Sequence, residues 1–287
     1  MEQALKVWRV LEILKVTESA FAGKGIKNPR LNAELLLADV LKCRRIELYL
    51  DFEKPLTAIE LAAFREHVKR RLKHEPIQYI LGKTEFYGLS FNVSPAVLIP
   101  RQETELLVEE VLKYLRENGV KRVLDIGTGS GCLAIAVAAN CDCRVDAVDI
   151  SPDALQTAKE NSDLNNTSDK ITFYIKDVLN DEIDLSNYDV VMSNPPYIPA
   201  EEMETVDDEV RLYEPQVALT DNSDGLVFYR RLIELCQKAG TKPVLFAELG
   251  DGKAEKVEGL LNEIGITNYR IKEDLIKIPR VLKAEFN

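Results

Sequence analysis

The run Val190-Val191-Met192-Ser193-Asn194-Pro195-Pro196-Tyr197-Ile198-Pro199 holds the residues best suited to chemistry on a flat group that bears an NH₂. A proline biases the residue before it away from the helical region, so Asn194 is held extended. Its side-chain amide offers a carbonyl acceptor and an NH₂ donor. Pro195 and Pro196 lack N–H groups, which leaves their carbonyls with fewer local partners and free to point outward. Tyr197 adds an aromatic face. Asn194, Pro195, Pro196 and Tyr197 are thus the candidate catalytic and substrate-binding residues: two acceptors for the hydrogens of an amino group and a ring to stack on. The simpler reading is a proline-rich turn after a strand. A second motif upstream weighs against it.

That motif is Gly127-Thr128-Gly129-Ser130-Gly131, placed between the apolar run Arg122–Ile126 and the apolar stretch Leu133–Ala139. A strand that feeds a glycine-rich turn and a helix is half of a nucleotide-binding βαβ unit. The dinucleotide fingerprint needs its third glycine at 132, where this chain has Cys132, and no Lys-Ser/Thr pair makes it a P-loop. Asp149 stands 20 residues after Gly129, at the end of the next apolar run, where a carboxylate meets ribose hydroxyls. Asp125 sits just before the turn, where it meets a cationic amino group. A ligand with adenosine, a ribose diol and an ammonium, but no pyrophosphate, fits these residues: S-adenosylmethionine. The alternative is a tight strand–helix turn with a surface Asp.

The elements that must hold these motifs follow from periodicity. Ala4, Val7, Trp8, Leu11 and Leu14 fall at helical spacing. Asn28-Pro29 is a helix-start signal, and Thr57 with Glu60 reads as a capping box. Residues 1–80 are therefore expected to form a small helical bundle, with Trp8 in its core. Short β-type runs at Glu85–Tyr87, Leu89–Val93 and Val97–Ile99 predict a hairpin linker over 81–102. It carries few obvious buried residues, which predicts relative domain motion. From residue 103 to 287 strand and helix patterns alternate, and the fold class expected is α/β, a doubly wound Rossmann-like sheet.

Composition narrows the class further. The chain has 287 residues, 46% hydrophobic and 30% charged, which is ordinary for a globular protein. No apolar run is long enough to span a bilayer, and the N-terminus lacks a signal-peptide core. Five cysteines and two histidines, His67 and His74, give neither a disulfide framework nor a zinc-ligand pattern. We expect a cytoplasmic protein without metal. The net charge of −11 is uneven: residues 1–84 carry 16 Lys+Arg against 11 Asp+Glu, whereas 85–287 carry 21 against 37. An acidic catalytic half argues against a general grip on nucleic acid.

The sequence resembles the class I S-adenosylmethionine-dependent methyltransferases of the amino-group type. It is most similar to the peptide-chain release factor glutamine-N5 methyltransferases (the HemK/PrmC family). The pieces that carry the likeness include Glu75–Gly82, Glu85–Gly88, Leu98–Glu105, the glycine turn, Ser193–Pro199, Tyr213-Glu214-Pro215, Asp224-Gly225-Leu226 and Pro279-Arg280. Departures stand at Gln102, usually Pro, at Asn222-Ser223, often Gly-Gly, and at Gly250-Asp251-Gly252-Lys253. The resemblance implies that the substrate is the glutamine of a Gly-Gly-Gln motif in release factors. It implies a cofactor site made of Asp125, Gly127, Thr128, Gly129, Ser130, Gly131, Asp149, Asp177, Val178 and Asn194, with Val178 against adenine. It implies S-adenosylhomocysteine as product; the N-terminal helices, the one large non-catalytic part and the basic one, are expected to recognise the substrate. The alternatives are methylation of another protein glutamine or of a nucleic-acid base, and, in a different class, a non-catalytic binding module, against which the intact Asn194–Tyr197 motif argues.

Overall fold

The computed structural model describes residues 7–119 and 121–286, which fall into two compact units. One comprises residues 7–82 with 208–213, and the other residues 83–207 with 214–286.

In the helical unit, α1 (Val10–Gly23), α2 (Pro29–Leu41), α3 (Ala58–Arg71) and α4 (Ile77–Leu81) enclose a core of Leu14, Phe21, Leu36, Leu37 and Phe64. The helix starts later than the spacing predicts. Ala4 lies outside the described residues, and Val7 and Trp8 precede the first turn. Arg9 bridges Pro55, and the Leu56 N–H donates to the Trp8 carbonyl at 2.8 Å, so this backbone is satisfied across a loop rather than within a helix. Trp8 packs half-buried on the core, as expected. Pro29 opens α2, but Asn28 takes a left-handed conformation (φ 51°) and makes no side-chain cap. At α3 the capping box is complete: the Glu60 N–H donates to the Thr57 hydroxyl at 3.2 Å, and the Thr57 N–H donates to the Glu60 carboxylate at 2.7 Å. Arg71 is buried (3% exposed) and donates to Asn32 Oδ1 at 2.7 Å, to the Glu75 carbonyl at 2.9 Å and to Glu209 at 2.5 Å. Three partners offset the cost of burying its charge.

The second unit opens with an antiparallel hairpin, β1 (Lys83–Phe86) and β2 (Leu89–Asn92). The expectation of few buried residues fails here. Phe86 and Phe91 are 1% and 0% exposed, meet edge to face, and join the core beneath the sheet. Phe86 and Phe91 share a face because the register pairs Thr84 with Phe91 and Phe86 with Leu89. The Val97–Ile99 run is buried loop, not strand.

Then come α5 (Glu105–Asn118), β3 (Arg122–Ile126), α6 (Cys132–Asn140), β4 (Arg144–Asp149), α7 (Pro152–Leu164), β5 (Ile171–Ile175) and β6 (Val190–Ser193). Short α8 (Asp208–Tyr213) belongs to the helical unit, and α9 (Val227–Lys238), β7 (Val244–Glu248), α10 (Ala254–Glu263), β8 (Tyr269–Glu273) and β9 (Pro279–Ala284) complete the chain. Seven strands form one sheet in the order β5-β4-β3-β6-β7-β9-β8, parallel except for the pairs made by β9. This is the doubly wound α/β architecture expected.

Alternation along each strand sends side chains to two cores. Val123, Val190, Met192 and Phe246 face α5 and α6, while Leu124, Val191, Leu245 and Ala247 face α9 and α10. The strand order reverses at β3, whose neighbours are β4 and β6. Such a reversal opens a crevice beyond the carboxyl ends of the strands, the usual ligand position in this architecture.

Candidate active site

At that crevice lies a cavity of about 440 Å³, within the range that holds a nucleoside-sized ligand. Two strand ends build it, and they do so differently.

The first is the turn after β3. The Gly127 and Thr128 N–H groups both donate to the Val148 carbonyl (2.9 and 3.0 Å), which pins the turn to the next strand. Gly131 begins α6 with φ 81°, where a Cβ would stand 2.9 Å from Ile135 Cδ1 and 3.1 Å from the Ala158 Cβ. Only glycine allows both that conformation and that approach. Gly127, Thr128, Gly129 and Ser130 line the cavity, whereas Gly131 lies behind it as a packing residue. Asp149 lines the cavity too. Its Oδ2 accepts from the Gly129 N–H at 2.8 Å and its Oδ1 from the Ser151 N–H at 2.9 Å. Burial raises its pKa, opposed by those backbone donors.

Asp125 does not line the cavity; it lies beneath the turn, fully buried. Its Oδ2 accepts from the Thr128 hydroxyl at 2.6 Å, and its Oδ1 has no hydrogen-bond partner among the described residues. Burial pushes this carboxyl up to about 7. Burial of this carboxyl disfavours its charged form, and the Thr128 hydroxyl works against that shift. Asp177 and Val178, beyond β5, supply another wall. Asp177 accepts from Asn180 Nδ2 at 2.7 Å, which holds its pKa below the ordinary range.

The second strand end is β6. Asn194, Pro195 and Pro196 line the cavity. Asn194 Nδ2 donates to the Thr104 hydroxyl at 3.2 Å. Tyr197 does not line it. Its ring is pressed against Gly250, where a Cβ would stand 2.5 Å from Tyr197 Cδ2, and its carbonyl against Gly225, where a Cβ would stand 2.4 Å away. Tyr197 therefore fixes the loop rather than offering an open face to the cavity. Burial pushes its phenol up to about 12.

Thr104 and Glu248 were not singled out by residue type or spacing. Thr104 lines the cavity, 2% exposed, at the start of α5. Glu248 ends β7, 3% exposed, with the Thr104 side chain beside its carboxyl and its Oε2 without a hydrogen-bond partner among the described residues. Burial pushes its carboxyl up to about 7, opposed by Thr104 and by the charge of Arg280. A carboxylate closing the otherwise apolar strand Val244–Glu248 was the one signal available in sequence. Arg101 also lines the cavity, paired at 2.6 Å with the buried Glu214. Among the described residues, no cluster of His, Cys, Asp and Glu is arranged to hold a metal, and no helix is long and apolar enough to cross a membrane.

Residues 102–211 match the methyltransferase small domain, and residues 12–82 match the PrmC N-terminal domain. Solved structures share the fold: the hMettl16 catalytic domain crystallised with a MAT2A 3'UTR hairpin superposes with a TM-score of 0.58 at 20% identity, over 70% of this chain and 77% of that one. The sheet, its glycine turn and the family match define a methyltransferase. Among curated relatives, the release factor glutamine methyltransferase of Chlorobaculum tepidum is 42% identical, over 97% of this chain and 98% of its own. That of Geobacter sulfurreducens is 41% identical over 98% of each chain. The chain belongs to the release factor glutamine methyltransferase family.

Proposed function

We propose that this protein methylates the side-chain amide nitrogen of the Gly-Gly-Gln glutamine in release factors, with S-adenosylmethionine as methyl donor. The observation that carries this reading is an Asn194 amide on the wall of a nucleoside-sized cavity, in a chain 42% identical over nearly its whole length to a release factor glutamine methyltransferase.

The cavity fits the cofactor chemically. Asp149 retains lone pairs for ribose hydroxyls, and Val178 offers an apolar face to adenine, whereas Asp125, buried beneath the turn, supports the turn through Thr128 rather than facing the ligand. When bound, the cofactor supplies an electrophilic methyl group.

An amide nitrogen is a weak nucleophile because its lone pair is delocalised into the carbonyl. The Asn194 Oδ1 and the Pro195 carbonyl accept its two N–H hydrogens. Those bonds strengthen as nitrogen becomes positive, so they favour the transition state over the ground state. Holding the amide against the cavity converts an encounter into a positioned reaction. The proton then leaves to water.

The socket recognises an amide, not a particular protein. Substrate selection falls to the helical region, residues 1–80, whose excess of Lys and Arg complements an acidic partner surface and speeds encounter. The enzyme is expected to act in the cytoplasm, where its substrate works. The test is to incubate the protein with labelled cofactor and purified release factor, then map the label by mass spectrometry. Label on the Gly-Gly-Gln glutamine is expected. Efficient transfer to DNA or RNA with none to the release factor would overturn the substrate assignment.

A further inference from the structure

Met192, Asn194, Phe246 and Glu248 share one parity along adjacent parallel strands, β6 and β7, whose register pairs Met192 with Phe246. Met192 and Phe246 face α5. By alternation Asn194 and Glu248 emerge on the same side, at the strand ends. Thr104 stands there, at the head of α5, so three polar groups distant in sequence fall in one row, Thr104 and Glu248 buried and Asn194 half-buried on the cavity wall. Asn194 Nδ2 donates to the Thr104 hydroxyl at 3.2 Å, and the Thr104 side chain holds down the pKa of the adjoining Glu248 carboxyl, whose Oε2 has no hydrogen-bond partner among the described residues and is open to the Thr104 hydrogen.

We propose that Thr104 and Glu248 are positioning residues that fix the Asn194 amide with its Nδ2 inward and its Oδ1 toward the reacting nitrogen. This rests on the amide-methylation reading above.

The logic is one of hydrogen counting. A hydroxyl has one hydrogen and two lone pairs. An ionised carboxylate can only accept, so Thr104 must spend its hydrogen on Glu248. Towards Asn194 it can then only accept, which demands the NH₂ end of the amide. The flipped amide would set the Asn194 oxygen against a threonine oxygen, with no hydrogen between them. The same flip would offer the substrate NH₂ a second NH₂, a repulsive contact. Without the carboxylate, Thr104 could donate to Asn194 Oδ1 just as well, and both orientations would be open. Polarisation runs the same way: donation from Nδ2 draws electron density toward Oδ1, the acceptor the reaction uses.

Glu248 is held in place independently. Its carbonyl accepts from the Tyr229 hydroxyl at 2.7 Å, and the next residue, Leu249, donates its N–H to the Arg280 carbonyl at 2.7 Å. Charged and titratable groups acting on its carboxylate come from several elements: Arg101 and Glu103 before α5, Arg280 on β9, Tyr197 in the β6 loop, Tyr229 on α9 and Cys132 at α6. The carboxyl lies at about 7, so the row is complete above that pH and loses its direction below it. The dependence belongs to kcat, since the row acts on the reacting nitrogen.

Thr104→Val removes the hydroxyl and keeps the shape; Thr104→Ser restores it. In steady-state assays with release factor, Thr104→Val is expected to lower kcat about 10–100-fold with KM and cofactor affinity within about twofold, and Thr104→Ser to recover most of it. In an Asn194→Ala background, Thr104→Val should add less than about twofold, because it acts through Asn194. Glu248→Gln should flatten the rise of kcat through about pH 7. An equal loss from Thr104→Val with and without Asn194 would overturn the proposal. So would a loss of cofactor affinity matching the loss of kcat, since that is direct contact. An independent arm needs no turnover: in protein labelled with ¹⁵N at asparagine, the Asn194 side-chain NH₂ is identified by its absence in Asn194→Ala. Its hydrogen exchange should quicken in Thr104→Val and be restored in Thr104→Ser. Unchanged exchange would refute the row even if the release factor proved to be the wrong substrate. Conversely, quickened exchange with no methylation by the wild-type protein would sink the substrate reading alone.

Discussion

The two strand ends that face the cavity are built from different materials. The turn after β3 is mostly backbone held by near neighbours. Thr128 bonds Asp125 three residues away, and the Gly129 N–H bonds Asp149 twenty residues away. The end of β6 is mostly side chain held by distant partners. Asn194 bonds Thr104 ninety residues away, and Tyr197 rests against Gly250. A backbone site binds whatever shape the chain path dictates, and it tolerates side-chain change so long as the glycines keep their conformations. A side-chain site depends on every partner that orients it. Binding of cofactor and activation of substrate should therefore fail separately.

The sharpest break is Asn194→Ala. It should lower kcat by roughly 10²–10³, the scale of losing one oriented transition-state partner, while calorimetry finds cofactor affinity little changed. A parallel fall in cofactor affinity would erase the distinction between the two ends. At the other end, Asp149→Ala should weaken cofactor binding by roughly 1.5–3 kcal/mol, the scale of a hydrogen bond to a charged group, and leave kcat at saturating cofactor nearly intact. Calorimetry on the folded variant checks it.

Gly250→Ala probes the support rather than the acceptor. Its Cβ would stand 2.5 Å from the Tyr197 ring, so the loop must shift. Methyl transfer should fall about tenfold, as for a small misplacement of reacting groups, with cofactor affinity preserved. Gly131→Ala is the matching probe of the turn: the positive φ and the approach to Ala158 should cost about 1–3 kcal/mol of stability, read from denaturant midpoints.

The smallest effect is of pH. Asp125 and Glu248 both lie at about 7 in the folded chain, above their ordinary values of 3.8 and 4.5. Between those values and 7 the folded state holds more protons than the unfolded one, so stability falls as pH rises through that window. The cofactor-free protein should melt at a lower temperature at pH 8 than at pH 5, with part of the slope removed in Asp125→Asn and part in Glu248→Gln, the direction expected from single-group linkage. A melting temperature that rises across that range would contradict the burial of both carboxyls.

Sequence alone determined the order of elements in the sheet unit, the glycine turn with Asp149, and the Asn-Pro-Pro-Tyr strand end. Each of these is local: periodicity of 2 or 3.6, the loss of an N–H at proline, and the freedom of glycine act within a few residues. The Arg122–Ile126 strand was legible to the residue for that reason. The tertiary structure decided what local chemistry cannot reach. It sank Phe86 and Phe91 of the hairpin into the sheet core, although the run looked like linker. It turned Tyr197 away from the cavity, because Gly250 leaves room for a ring that no nearby residue predicts. It placed Asp125 beneath the turn rather than on its rim. It also brought Thr104 and Glu248 to Asn194. Which side chains meet across neighbouring strand ends depends on strand order and register, and these are set by packing over the whole sheet rather than by any stretch of chain.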